Sequence, residues 1–515
     1  MLPPPPPPLL LLGLLCAGLL LLLLLLRSCG RTRRKGEPPL IKGLIPVLGK
    51  AFEFRKDTFT FLLEQEKKHG DVFTVQIAGK YMTFIMNPLL YPSIVKHGRQ
   101  LDFHEFSDKV VPATFGYPPV FSGRFPGMHE QIQRTFRLLQ GDQLSSLLES
   151  MMGNLMLILK QDYLESGGSE PSGWVAAGEA DHRWRTDSMY EFCSIFMFEA
   201  TILSMFGLPP HGKRHSAIRT LREDFMKFDN MFPLLIAQIP IWLLGNTEGI
   251  RRKLIDFFLP QRIMSWSNSS QFIKKRIEVL EQYSSLNDVD KAAHHFTMLW
   301  AAVGNTVPAT FWAMYHLVSH PEALERVRQE IHDVVQLKDL RDQDATLSRE
   351  HLDQLLYLES AVNESLRLSS ASMNIRVAQE DFELQLEGWG SVAVRERDIV
   401  ALYPQSMHMD PDIYPEPQMY KFDRFMEDGK EKTDFYKDGQ RLKYYRMPFG
   451  SGSSMCPGRH LAVNEIKQFL SLLLLHFDLQ LLEGQPEVKL DSSRAGLGIL
   501  LPDSNVHFRY RLRAA

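Results

Sequence analysis

The stretch Phe449-Gly450-Ser451-Gly452-Ser453-Ser454-Met455-Cys456-Pro457-Gly458 decides how this chain is read. One cysteine stands among small, turn-forming residues, directly before an apolar helical pattern from Leu461 through Phe477. That order puts the sulfur on a rigid loop facing the first turn of a helix. Unsatisfied N–H groups and the positive end of the helix dipole favour a thiolate there. A thiolate that is fixed, shielded and hydrogen-bonded suits the axial position on a haem iron. The glycines, Gly450 first among them, give the loop beyond Phe449 a tight path and let a porphyrin approach the backbone. The competing reading of the stretch is a buried structural cysteine beside a glycine turn.

Working outward, composition narrows the field. The 515 residues suffice for one large domain or two to three ordinary ones, and 44% hydrophobic with 23% charged residues is globular. A net charge of −3 argues against a nucleic-acid binder. The cysteines Cys16, Cys29, Cys193 and Cys456 form no CxxC pair, which argues against a zinc-thiolate site and fits a reducing compartment. His316 and His320 stand four apart but without the glutamate of a zinc helix. The pair His294-His295 is expected on a helix surface.

Leu9 to Leu26 is an apolar run, almost all leucine, followed by Arg27, Arg31, Arg33, Arg34 and Lys35. Its length at 1.5 Å per residue is about 27 Å, close to a thin bilayer core. Residues 1–26 are therefore expected to be a single-pass transmembrane anchor, with the basic flank and everything after it cytosolic. The alternative, a cleaved signal peptide, would carry its basic residues before the apolar run. Residues 27–50 read as a basic, proline-rich linker and 51–515 as the body.

Within the body, residues 72–77 and 81–86 alternate around Ala78-Gly79-Lys80, which predicts a β-hairpin. From about 130 to 370 the apolar spacing is helical. Residues 165–186, polar and glycine-rich, are expected in an exposed loop. One long helix is expected from about Asp290 to Ser319, and another starting at Pro321. Val506 to Leu512 alternates as a strand. The fold class is mainly α with minor β, with a small sheet at each end of the sequence.

Three further constellations bear on chemistry. Glu364 and Arg367 are three apart on a helix and share a face. Arg424 stands in Phe422-Asp423-Arg424-Phe425, and a glutamate bridged by both arginines would lock the segment leading to the cysteine loop. In Ala302-Val303-Gly304-Asn305-Thr306-Val307-Pro308, Pro308 has no N–H for the Gly304 carbonyl, so the long helix should open there. The freed carbonyl and the Thr306 hydroxyl would then hold a water or dioxygen and pass protons; a packing kink is the plain alternative. Met231 to Leu244 is apolar but broken by Pro233 and Pro240, and reads equally as core or as a segment dipping into a bilayer. Arg441, Lys443 and Arg446 form either a docking face for an acidic electron donor or a solvated charge run.

The loop pattern F-x-x-G-x-x-x-C-x-G resembles the haem-thiolate loop of the cytochromes P450. The order of E-x-x-R, aromatic-flanked arginine and cysteine loop is similar to theirs as well. Longer stretches resemble the steroid 7α-hydroxylase branch. These are Gly36-Glu37-Pro38-Pro39-Leu40, the segment starting at Lys68, Trp300 to Trp312 and Leu368-Ser369-Ser370-Ala371-Ser372. That branch includes sterol 12α-hydroxylase and prostacyclin synthase. Asp224 to Asp229 and Ile239 to Asn246 look most like the oxysterol (25-hydroxycholesterol) 7α-hydroxylases; Ser369 to Arg376 and Ser493 to Leu500 look more like the cholesterol 7α-hydroxylases.

The resemblance implies a P450 fold with one haem domain behind an N-terminal transmembrane helix in the endoplasmic reticulum membrane. It implies haem b held by Cys456, and electrons from NADPH through NADPH-cytochrome P450 reductase. The implied reaction is hydroxylation of a sterol or oxysterol at the 7α position. A cholesterol 7α- or sterol 12α-hydroxylase and a prostacyclin-type isomerase are its alternatives. Arg376 matches a position that contacts a haem propionate. Met298, Trp300, Ala302, Asn305, Ala371 and Leu497 match substrate walls. Two departures stand out: Asn305 replaces the acid usual before Thr306, and Ser454 replaces a cation of the cysteine loop. Thr306 with water must then manage the protons, leaving the Asn305 amide for a substrate hydroxyl.

Overall fold

Val72–Ile77 and Lys80–Ile85 pair antiparallel in the computed structural model, with Ile77 opposite Lys80. Ala78 (φ 47°) and Gly79 (φ 79°) close the hairpin. Two consecutive left-handed residues make the turn whose twist matches that of the strands. The structure describes residues 31–45, 47–120, 123–164, 184–209, 214–335 and 347–513. The expected anchor at 1–26 lies outside them. Among the described residues no helix is long and apolar enough to cross a membrane.

The chain divides into two compact units. The first comprises residues up to Phe103, Met373–Ile413 and Tyr436–Tyr445. Its six-stranded sheet runs in the order Leu40–Ile41, Val72–Ile77, Lys80–Ile85, Ile399–Leu402, Asn374–Ala378, Leu101–Asp102. Phe61 and Leu62 of the helix Thr58–His69 form one buried cluster with Phe73, Phe84 and Tyr403. Asp57 starts that helix by accepting the Thr60 N–H at 3.0 Å. Residues 31–41, expected as linker, are built into this unit. Leu40 and Ile41 pair parallel to Thr74 and Val75, and Glu37 accepts from Arg395 Nη2 (2.9 Å) and the Arg34 N–H (2.8 Å). Arg31 thus pairs with Glu37 and Asp398 in a nearly buried place, while Arg33, Arg34 and Lys35 stay exposed.

The second unit, His104–Ser372, Tyr414–Phe435 and Arg446 onward, is mainly helical. The helices used below are α1 (Met189–Met205), α2 (Arg214–Asn230), α3 (Asp288–Val303), α4 (Thr306–Ser319), α5 (Leu356–Ser369) and α6 (Arg459–His476). Asn287 and Asp290 close a reciprocal cap at the start of α3. Pro321 opens the helix Pro321–Val334, as the sequence predicts.

This unit's small sheet is Phe477–Leu481, His507–Leu512 and Arg185–Ser188. Residues 165–183 of the expected loop fall outside the described residues, but Arg185 and Thr186 are not loop. They pair with Tyr510 and Arg509. A polar four-residue edge strand carries no alternation signal, which is why its sequence misleads.

His294 and His295 also differ from expectation, being 3% and 2% exposed. Tyr117 stacks on His294 with centroids 3.9 Å apart, and burial holds His295 neutral, with its pKa lowered to about 3. The apolar segment 231–244 divides: Phe232 and Leu235 are buried, whereas Ile239, Trp242 and Leu243 are exposed.

Candidate active site

The cysteine loop is closed by its own backbone. The Cys456 N–H donates to the Phe449 carbonyl at 2.9 Å and the Gly450 N–H to the Met447 carbonyl at 3.3 Å. Gly450 (φ 74°) and Gly452 (φ 63°) take the left-handed backbone that this tight path requires. Ser454 folds inward, its hydroxyl donating to the Ser451 carbonyl at 3.1 Å. Helix α6 begins three residues after the cysteine, at Arg459.

Burial pushes the Cys456 thiol above its ordinary pKa, while the Gly458 backbone amide and the Arg459 charge favour the thiolate. The sulfur is thus prepared for a positive partner but not ionised without one. The other described cysteine, Cys193, is fully buried and donates to the Met314 Sδ at 3.7 Å, closed to any ligand. Among the described residues, Cys456 alone offers haem iron a partly accessible sulfur, seated on a loop closed by its own backbone. The residues fit that group.

Glu364 and Arg367 of α5 are both fully buried and pair through two bonds of 2.7 and 2.8 Å. Arg424 Nε donates to the same carboxylate at 2.8 Å, and its other nitrogens donate to the carbonyls of Pro415, Glu416 and Met419. The Tyr414 ring lies 5.0 Å from the Arg367 guanidinium carbon. The buried charges are therefore mutually satisfied, which is the condition for tolerating them. Arg446 joins this side of the unit, 3.6 Å from Glu431 and over the Phe425 ring, rather than standing in solvent.

The expected long helix is two helices, α3 and α4, parted at Gly304–Asn305. The break places Pro308 in the first turn of α4, where its missing N–H costs nothing. Among the described residues the Gly304 carbonyl accepts no hydrogen bond. The Thr306 hydroxyl makes none either, while the Thr306 carbonyl accepts from Thr310 Oγ1 at 2.8 Å. Just before the break, Met298, Ala301, Ala302 and Asn305 recur at helical spacing and keep accessible surface, while Leu299 and Val303 are buried. One face of α3 thus borders open space. Ala301 belongs to it, though it is not among the expected walls; the i, i+3, i+4, i+7 spacing was the signal for it.

Ala371 and Leu497 meet through the C-terminal loop. The Ala371 N–H donates to the Gly498 carbonyl at 2.9 Å, and the Gly496 N–H to the Ala371 carbonyl at 2.7 Å. Asn305 Oδ1 accepts the Ile499 N–H at 3.0 Å. Among the described residues, only the Nδ2 donor of this amide is left over. Trp300 is turned away from the accessible face. Its indole N–H donates to Asp229 at 2.8 Å, and its ring stacks on Phe232 with centroids 4.0 Å apart. Asp229 also pairs with Arg494, a contact across 265 residues that no local pattern announces.

Arg376 lies in the first unit, buried in Asn374–Ala378, with Nη1 donating to Asn374 Oδ1. His316 and His320 flank the Tyr420 ring, and no His/Cys/Asp/Glu cluster able to hold a metal ion exists among the described residues.

The cytochrome P450 family pattern matches residues 38–509. The chain is 41% identical over 487 residues to cytochrome P450 7B1 of Mus musculus, covering 94% of this chain and 92% of that protein. It is 40% identical over 493 residues to cholesterol 7-alpha-monooxygenase of Cricetulus griseus, covering 94% and 95%. It is 38% identical over 498 residues to 7-alpha-hydroxycholest-4-en-3-one 12-alpha-hydroxylase of Homo sapiens, covering 94% of each. With a thiolate seat, a helix opened before a threonine and a match along nearly its whole length, the chain belongs to the cytochrome P450 family: it is a haem-thiolate monooxygenase supplied with electrons by a reductase, related to the sterol 7α- and 12α-hydroxylases.

Proposed function

We propose that the chain hydroxylates a cholesterol-like sterol at the 7α position, with an oxysterol as the preferred substrate. The observation that carries this reading is the accessible face of α3. It presents Met298, Ala301 and Ala302 and one polar group, the Nδ2 of Asn305, whose oxygen is already engaged by Ile499. A flat apolar molecule with a single oxygen to accept that N–H is the complement of such a wall. The relatives named for 7α and 12α oxidation of cholestane compounds support it, as do the 7α-type stretches Asp224–Asp229 and Ile239–Asn246.

In this reading Cys456 holds the haem iron and Phe449 with Gly450 shapes the loop beside it. The haem, when bound, supplies the activation of dioxygen for inserting one oxygen atom into a C–H bond. The chain's own part is positional. Gly458 and Arg459 stabilise the thiolate charge. The Thr306 hydroxyl, without a partner among the described residues, holds the water from which protons are drawn. Glu364, Arg367 and Arg424 fix the segment that leads to the loop. Residues 1–26 anchor the enzyme in the endoplasmic reticulum membrane with the body cytosolic.

The test is incubation of the full chain and reductase with cholesterol and with 25- and 27-hydroxylated sterols, with NADPH present or omitted. The expected result is an NADPH-dependent 7α-hydroxysterol, formed fastest from a side-chain hydroxylated substrate. Conversion of a lipid endoperoxide without NADPH, and no sterol product with it, would overturn the reading. Cys456→Ser should abolish the red-shifted Soret band of the ferrous carbon monoxide complex.

A further inference from the structure

Asp229 is the penultimate residue of α2, and every oxygen of its carboxylate is engaged. Oδ1 accepts from Trp300 Nε1 at 2.8 Å and Arg494 Nη2 at 3.2 Å; Oδ2 accepts from Arg494 Nη1 at 2.5 Å. The ion-pair side chains are 5% and 11% exposed. We propose that Asp229 is a positioning residue that sets the shape of the substrate pocket by holding Trp300 and Arg494 at once. The proposal rests on the sterol reading above.

Two consequences of this geometry support it. Trp300 has no freedom to turn. One face of its ring lies against Phe232, its N–H is held by Asp229, and a Cβ on Gly304 would come within 3.1 Å of its edge. The indole therefore fixes the turn of α3 immediately before the helix opens. The C-terminal loop, for its part, is fixed at both ends by side chains: Arg494 by Asp229, and Ile499 by Asn305. Leu497, half-exposed between them, is held on either side as well by the backbone bonds of Gly496 and Gly498 to Ala371, so the two side-chain anchors set where this looped segment sits.

A carboxylate is the group this junction needs. It offers two oxygens that accept several hydrogen bonds, whereas an amide offers one oxygen and would turn its NH2 toward the guanidinium. A buried ion pair gains little stability over apolar packing but is costly to break, so this one holds the segments it joins in one arrangement. Here those segments are the end of α2, the α3 wall and the loop carrying Leu497.

The experiment uses the full-length holoprotein, matched for haem by its carbon monoxide difference spectrum. Variants are Asp229→Asn, Arg494→Lys and Trp300→Phe, with the Asp229→Asn/Trp300→Phe double. We expect Asp229→Asn to weaken the sterol-induced spin-state titration about tenfold and to yield several hydroxylated products where the wild type yields one. Hydrogen exchange of the peptide 494–501 should rise about tenfold, with or without sterol. Adding Trp300→Phe should change little, because the two side chains share one interaction. Arg494→Lys keeps the charge and should fall between, so it serves if Asp229→Asn fails to retain haem. A lower melting temperature with unchanged exchange, affinity and product pattern would overturn the proposal. A wild type that shows no sterol response refutes the sterol reading instead, and the exchange of 494–501 then decides the clamp.

Discussion

The side-chain oxygen of Asn305 accepts the backbone N–H of Ile499, and the α-carbon of Gly498 stands so close that a Cβ there would lie 2.2 Å from the same oxygen. The opened helix and the C-terminal loop are thus joined through one amide, and glycine is the residue that permits the approach. Gly498 also has φ +136°, a conformation side chains resist. Gly498→Ala should cost about 1–3 kcal/mol and loosen sterol binding while leaving the Soret band in place. Asn305→Asp separates the two functions of the amide: it keeps an acceptor for Ile499 but loses the donor. Sterol affinity should fall without faster exchange at Ile499; unchanged affinity would remove Asn305 from substrate recognition.

Thr306→Ala removes a hydroxyl that has no protein partner among the described residues, so packing should change little. Proton supply should change. NADPH consumed per product should rise several-fold, and peroxide release with it. Equal peroxide release by wild type and variant would take the threonine out of the mechanism.

Glu364→Gln leaves Arg367 and Arg424 without their shared carboxylate in a fully buried place. Stranding buried charges costs about 3–5 kcal/mol. The expected outcome is poor haem retention and a lower melting temperature, with Arg424→Lys less severe because its carbonyl contacts are partly kept. A stable, fully haem-loaded Glu364→Gln would contradict the structural role of the trio.

Glu465 is buried in α6, and burial raises its pKa to about 8 from the ordinary carboxylate value of 4.5. Between those values the native chain holds a proton that the unfolded chain has lost. Stability attributable to this group is therefore full below the lower value, falls as pH rises through the window, and levels off above about 8. Glu465→Gln removes that slope. Its stability relative to wild type should climb from about pH 5 to about pH 8, by an amount on the order of a few kcal/mol, read from denaturant unfolding at each pH. Parallel pH profiles would show that the carboxyl ionises as freely in the fold as out of it.

What the sequence disclosed is what short-range physics writes into it. The alternation around Ala78-Gly79 specifies the hairpin, and Pro308 specifies the helix break because a missing N–H acts four residues away. The cysteine loop shows itself through its glycines. What stayed hidden depends on distant partners. Asp229 and Arg494 each look like a surface charge in their own neighbourhood. His294 and His295 look solvent-facing until Tyr117 is stacked on the first. Arg185–Ser188 has no strand character of its own and becomes one only beside His507–Leu512.

Protein synthesis gives the C-terminal loop one more meaning. The ribosome releases residues in order, so Asp229, Asn305 and Ala371 all emerge well before the segment that binds them. Arg494 reaches back 265 residues and Ile499 reaches back 194. The strand His507–Leu512 then inserts between two partners made earlier, Arg185–Ser188 and Phe477–Leu481. The nascent chain therefore contains the residues of its helices, its opened turn and its cysteine loop while one wall is still missing. A frameshift between His476 and Arg494 would yield a chain that contains the cysteine-loop residues and α6 but lacks the segment that closes the pocket. Apolar surface on α3 would be left for chaperones to cover.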